Sequence, residues 1–493
     1  MGRLIVCDAT AAGEYALLPL VNGSSAADRA LEFGSSLEGE ARILLARKEL
    51  KLSLPRGWRR VEGQSWDGET LLALLEEESR GADRLVYYAL DEPLLQLSVT
   101  ARLLELTERY QTEYTFADGY PEGVAPEILD PRILPVLRSL QRERPEAPGR
   151  DFLFRLIQHD INAFDLETEI AEVDLRLLRA SLTCDSRGNY LLCRRLLEEG
   201  IDSESVILAR LPEERTLLRT LPFYLNLQVT NRLSQKVSYE PFWDLQKDEE
   251  PRDIGVEEFK RLLDQLEEFS PEATVSIGYR GEPGLHPRIL DLIREVEARG
   301  NLALYLETSG VGWRQEAVDA LADGELRRTT LIVLLDAASR EAYRSLRGDG
   351  FEEAVAFANR MRRAHPEATY VQATRLREYQ ETLEEFYAAW KEDNPIIQKY
   401  NHYCGTLSDR RVTDLSPLRR FPCWRLQRDL TVLVDGRVPR CQEDLNGASH
   451  FGNLFEESLE TVWNRGAQLF ESHNRGEYPD ICGACDEYYS FNA

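Results

Sequence analysis

Cysteine placement constrains this chain more than any other feature of its sequence. No cysteine lies between Cys193 and Cys404, whereas Cys423, Cys441, Cys482 and Cys485 gather near the end, the last two as Cys-Gly-Ala-Cys. Four thiolates drawn together by folding close a tetrahedral S4 site, which suits a 4Fe–4S cluster or zinc. Paired Cys-x-x-Cys spacing in a reducing compartment favours such chemistry over a disulfide. The intervening sequence supplies a way to converge. Residues 430–434 read as a strand and Asp435-Gly436 as a two-residue hairpin turn. That turn brings Cys441 back towards Cys423 across 17 intervening residues. Cys404, in Asn-His-Tyr-Cys-Gly, is read as a small packing residue, with a spare-ligand role as the alternative.

A chain of 493 residues is too long for one core, and two to four domains are expected. Acidic residues outnumber basic ones, 86 to 60, for a net charge of −26. Such a surface repels phosphate backbones and anionic headgroups, so neither nucleic acid nor membrane is an expected partner; an unidentified protein is. The first apolar run reaches Asp8 early, and no stretch of about 18 apolar residues occurs, which predicts a cytoplasmic protein.

In the first two hundred residues, short apolar runs at 3–7, 41–46 and 84–90 alternate with helical patterns at 67–80 and 95–110. This alternation predicts an α/β layer with a mostly parallel sheet and ligand loops beyond the strand ends, at 8–14 and 91–93. The segments LIVCDATAAGEYALLPLVNG, YYALDEPLLQ, YPEGVAPEIL and DLRLLRASLTCDSRGNYLL resemble cytidylyltransferase-type nucleotidyltransferases of the GT-A superfamily. The resemblance implies that Asp91 is the metal-binding acid after the central strand, and that the first loop cradles phosphates with an Arg and a Lys. Here no Lys or Arg lies between Arg3 and Arg29, and Glu14 stands in the loop. A triphosphate would meet an added carboxylate and no side-chain cation. The expectation is a retained fold with lost or altered activity; the alternative is nucleotidyl or sugar-nucleotide transfer.

From Leu221 the chain returns to βα units, which suggests a parallel partial barrel. LNLQVTNR, VSIGYRGEPGLHP, LYLETSG and LIVLLDAASREAYRSLRG resemble successive strands of the radical SAM superfamily. By that resemblance Gly281, Glu282 and Pro283 line the SAM amino group, beside a purely structural reading in which Gly281 permits tight strand geometry and Pro283 ends the strand. The superfamily's three cluster cysteines would fall at Leu233, Val237 and Glu240, none of which is a cysteine. SAM binding and cleavage are therefore not expected. His286 reads as a loop histidine.

The Gly436-x4-Cys441 step and GNLFEESLETVWN resemble the SPASM domain, in a shortened, twitch-like form. This implies one 4Fe–4S cluster on Cys423, Cys441, Cys482 and Cys485, with zinc as the alternative. The three-part order resembles the spiro-SPASM proteins: a nucleotidyltransferase-like α/β domain at 1–212, a radical-SAM-like partial (β/α) barrel at 213–403, and a small cysteine-rich domain at 404–493. The expected function is an iron–sulfur protein without SAM cleavage, serving as a scaffold or electron relay. A zinc-stabilised structural module is the further alternative.

Overall fold

Each half of the chain builds its own sheet from the apolar runs just described. The computed structural model describes residues 2–63, 66–324, 326–445, 447 and 449–490. It divides into two units, Met1–Thr220 and Leu221–Ala493.

The first unit carries β1 (Arg3–Ala9), β2 (Ala41–Ala46), β3 (Trp58–Glu62), β4 (Arg84–Ala89), β5 (Tyr114–Asp118), β6 (Glu127–Leu129) and β7 (Leu166–Ile170). Their order across the sheet is β3-β2-β1-β4-β6-β5-β7. Ile5, Val6 and Cys7 are all fully buried, as expected for a central strand covered on both faces. The side-chain period of two divides them: Ile5 and Cys7 join one apolar cluster, Leu4 and Val6 the other. The helix Ala26–Ser36 starts at a reciprocal capping box between Ser25 and Asp28, which satisfies two otherwise orphaned donors.

The mostly parallel expectation holds: β3-β2-β1-β4 and β5-β7 pair in parallel. Between them β6 runs antiparallel to both β4 and β5. The segment 174–184 ahead of the helix Arg187–Glu198 contributes a single bridge among the described residues, Ser181 to Glu122. Just ahead of it Arg179 takes a left-handed φ of 48°, which breaks an extended run.

The second unit contains β8 (Tyr224–Leu227), β9 (Thr274–Ser276), β10 (Ala303–Thr308), β11 (Thr329–Leu334), β12 (Thr369–Arg375), β13 (Pro395–Lys399) and β14 (Asp429–Val432). All pair in parallel, in the order β13-β12-β11-β10-β9-β8-β14. Helices such as Val256–Phe269 and Phe351–Ala364 supply the crossovers. The cysteine-rich tail thus contributes the last strand of this sheet.

That arrangement alters the expected hairpin. The turn forms, with Gly436 at φ 86° and Gly436 N–H donating to the Leu433 carbonyl at 2.9 Å. The strands it joins part company, however. β14 pairs with β8, while β15 (Arg437–Pro439) pairs antiparallel with β16 (His450–Asn453). Leu430 and Val432 are buried in the second unit's core, so burial of that face decides where the strand goes.

Candidate metal centre

The tail folds its cysteines around one small cavity of about 20 Å³, lined by Cys404, Cys423, Cys441, Cys482 and Cys485. Cys423 is the N-cap of the short helix Trp424–Arg428. Cys441 follows β15, and Cys482 and Cys485 lie on and just after the 3-10 turn Asp480–Ala484. An aromatic and apolar cluster of Phe421, Trp424, Leu426, Phe470 and Tyr488 packs beside Cys423.

Cys404 reaches the cavity by a route that spacing does not reveal. Tyr403, Cys404 and Gly405 all have left-handed backbone, at φ 51°, 53° and 87°. Two side chains hold this turn. Asn401 Oδ1 accepts from Tyr403 N–H at 2.7 Å, and His402 Nδ1 accepts from Gly405 N–H at 2.7 Å. The residue read as a packing cysteine is thus a fifth thiol of the same cavity. A glycine directly after it was the one available sign of a left-handed turn.

Burial governs the thiol chemistry. It raises Cys423 to about 12 and, with Cys485 nearby, Cys482 to about 11. Burial and then Glu443 push Cys441 well above its ordinary value. Cys485 is the exception. Its hydrogen bond with Cys404 lowers its pKa while raising that of Cys404, and Glu487 N–H donates to its Sγ at 3.3 Å. Most of these thiols therefore need a metal's charge to ionise.

The polar lining residues beside the thiols are Arg420, Arg425, Arg440, His473 and Glu443, with Leu426, Leu469, Ile481 and Tyr488 completing the wall. Arg425 is buried, and although burial disfavours its charge, Glu487, Asp429, Glu443 and Cys423 hold it ionised. Burial and then Arg420 lower His473 to about 4. Arg420 Nε, Arg425 Nε and His473 Nε2 are sealed from solvent with no hydrogen-bond partner among the described residues. Buried donors without acceptors are costly. A sulfur-rich group would supply the acceptors these donors lack, so the lining fits an iron–sulfur cluster. Among the described residues no three His, Cys, Asp or Glu side chains meet closely enough to share one metal ion. The thiols line a wall and do not converge on a point.

A second cavity, of about 190 Å³, opens at the carboxyl ends of β8 to β13. Leu233, Val237 and Glu240 all line it, so the three positions named from sequence do come together, without a thiol among the lining residues. Burial raises Glu240 to about 7. Gly281 and Glu282 line the same cavity, yet each is already committed within the fold. A Cβ at Gly281 would lie 1.9 Å from the Thr230 carbonyl oxygen. The Glu282 carboxylate accepts from Thr308 Oγ1, from Ser309 N at 2.9 Å and Oγ at 2.5 Å, and from Trp313 Nε1 at 3.1 Å. Pro283 opens the 3-10 turn Pro283–Leu285. His286 is buried, with Nε2 at 3.0 Å from the Ile254 carbonyl. Arg425 and Glu443 line both this cavity and the cysteine cavity.

In the first unit a cavity of about 250 Å³ lies beyond β1 and β4, where the strand-end rule placed it. Asp91 lines it and is gripped by Arg150, whose Nη2 lies 2.9 Å from both carboxylate oxygens. Arg150 Nη1 also donates to Glu92 at 2.6 Å. Burial raises Glu92 to about 7 and Glu127, which lines the same cavity, to about 8.

Residues 423–486 match the SPASM family model, described as an iron-sulfur cluster-binding domain. A Treponema pallidum protein described as uncharacterised is 36% identical over 356 residues, which cover 69% of this chain and 98% of that protein. The chain belongs to its family. The tungsten-containing aldehyde ferredoxin oxidoreductase cofactor-modifying protein of Pyrococcus furiosus is 33% identical over 102 residues, 20% of this chain and 27% of that protein. Among solved structures, Streptococcus suis SuiB bound to its precursor peptide SuiA aligns at 14% identity and a TM-score of 0.43, covering 67% of this chain and 78% of that one. This SPASM-domain protein is a mixed α/β molecule with parallel sheets, and among its described residues no helix is long and apolar enough to cross a membrane.

Proposed function

We propose that this SPASM-domain protein holds one 4Fe–4S cluster on Cys423, Cys441, Cys482 and Cys485, does not cleave SAM, and serves as an electron relay or scaffold for a protein partner. The observation that carries this reading is the cysteine cavity itself: five thiols, three guanidinium groups and several unsatisfied donors around one small void. A cluster there would supply one-electron chemistry. The protein's own residues do the rest. The thiols anchor it, Phe421 and Trp424 shield it from water, and the arginines balance its negative charge. A single zinc ion needs its sulfurs about 2.3 Å from one centre, which thiols spread around a wall suit less well.

The absence of SAM cleavage rests on the barrel cavity. A radical SAM cluster needs three thiolates and one open iron, and Leu233 and Val237 offer no ligand. The Glu282 carboxylate, spent on Ser309, Thr308 and Trp313, has little capacity left for a ligand amine. A retained nucleotidyltransferase-like fold in the first unit belongs to the same reading, with Asp91 neutralised by Arg150 and not by a metal.

Anaerobic purification with iron, sulfide and zinc analysis tests the reading. The expected result is about four irons and four sulfides per chain, with visible charge-transfer absorption. Stoichiometric zinc without sulfide overturns it.

A further inference from the structure

His473 sits in the helix Ala467–Asn474 and lines the cysteine cavity. It is only 2% exposed. Its Nδ1 accepts the backbone N–H of Cys423 at 3.4 Å. An imidazole nitrogen that accepts carries no proton, so the ring is neutral and its one proton is on Nε2. That N–H is sealed from solvent and has no partner among the described residues. The Tyr478 ring, 5.0 Å away centroid to centroid at 78°, offers at most a weak contact. Of the acceptors that could satisfy the donor, sulfur is the one the cavity supplies in quantity.

We infer that His473 donates a hydrogen bond from Nε2 to a sulfur of the cluster, while its Nδ1 fixes the backbone of Cys423, and that it thereby sets the cluster's reduction potential. The inference rests on the cluster reading above. A hydrogen bond to sulfur stabilises the more negative, reduced state and so raises the potential. His473 is a tuning and positioning residue, not a ligand. The ring would thus act at two points, on the backbone of Cys423 through Nδ1 and on a cluster sulfur through Nε2.

The test uses the full chain, purified anaerobically. In an electron-paramagnetic-resonance redox titration, His473→Phe should keep its iron and shift the midpoint to more negative potential. His473→Gln, which restores an acceptor and a donor, should return it towards the parent value. Because either variant could disturb the fold, a second measurement uses the parent protein carrying ¹⁵N-histidine. Pulsed resonance on the reduced cluster should show a weak coupling to one histidine nitrogen. Full iron content with an unchanged midpoint in His473→Phe overturns the inference, as does a parent cluster with no histidine coupling. In both cases the cluster reading stands. A parent protein without iron and sulfide overturns both.

Discussion

At the scale of single residues, the most consequential is Cys404, because a four-ligand cluster leaves one of five thiols over. The spacing of Cys423, Cys441, Cys482 and Cys485 was readable from the sequence; Cys404 was read first as a packing residue, with a spare-ligand role as the alternative, because its left-handed turn leaves no spacing signal. The spare thiol stabilises the Cys485 thiolate by hydrogen bonding and does not replace it. Cys404→Ser should therefore keep about four irons per chain, whereas Cys482→Ser should lose most of its iron and its visible absorption; metal analysis of the two variants side by side decides. Were Cys404→Ser the variant that emptied the site, the ligand set would have to be redrawn. Glu127 offers a residue-scale test in the first unit. Burial raises its pKa to about 8, while in the unfolded chain it ionises near pH 4.3. The folded state thus binds the extra proton. The stability it contributes is fully present below about pH 4.3 and is lost as pH rises to about 8. Thermal melts at about pH 5 and about pH 8 should show a smaller loss of Tm in Glu127→Gln than in the parent chain. Glu92, raised to about 7, would leave part of the slope.

At the scale of elements, βα alternation was legible because a strand buried on both faces reads as an apolar run, and residues 4–7 and 43–46 are such runs. What misled was pairing. β6 is only Glu127–Leu129, too short to announce its direction. The Asp435-Gly436 turn specifies a reversal but not which strands flank it. Tertiary burial of Leu430 and Val432 overrode the local hairpin signal. The Gly-Glu-Pro stretch shows the opposite case, in which a motif survives because the fold needs it. Gly281 abuts backbone, not a flexible side chain, so the Thr230 carbonyl cannot easily give way. Gly281→Ala should cost about 1–3 kcal/mol in urea unfolding. Gly300→Ala, where an added methyl meets nothing within 4 Å, should be close to neutral. Equal stability in the two variants would remove the packing explanation for Gly281.

At the scale of the whole molecule, the apolar clusters follow the chain's division without exception. Two are built from Leu4 through Leu218, and two from Leu225 through Tyr488. A unit that owns its core can fold alone, and neither of the first unit's clusters borrows a residue from beyond Thr220. The metal chemistry is divided in the same way. All five cavity thiols lie in Leu221–Ala493, whereas Cys7, Cys184 and Cys193 are buried in the first unit's apolar core. The tail cannot be detached as a third piece at equal cost, because β14 is a strand of the second unit's sheet and Arg425 and Glu443 line two cavities of that unit. A fragment of residues 1–220 should therefore unfold in one cooperative urea transition and bind no iron. A fragment of residues 221–493 should carry the full iron and sulfide content, while one of residues 404–493, stripped of β8, should not hold the cluster stably. Urea melts and metal analysis of the three fragments check this. A stable cluster in the 404–493 fragment would show that the tail is independent and that its strand in the sheet is attachment, not foundation.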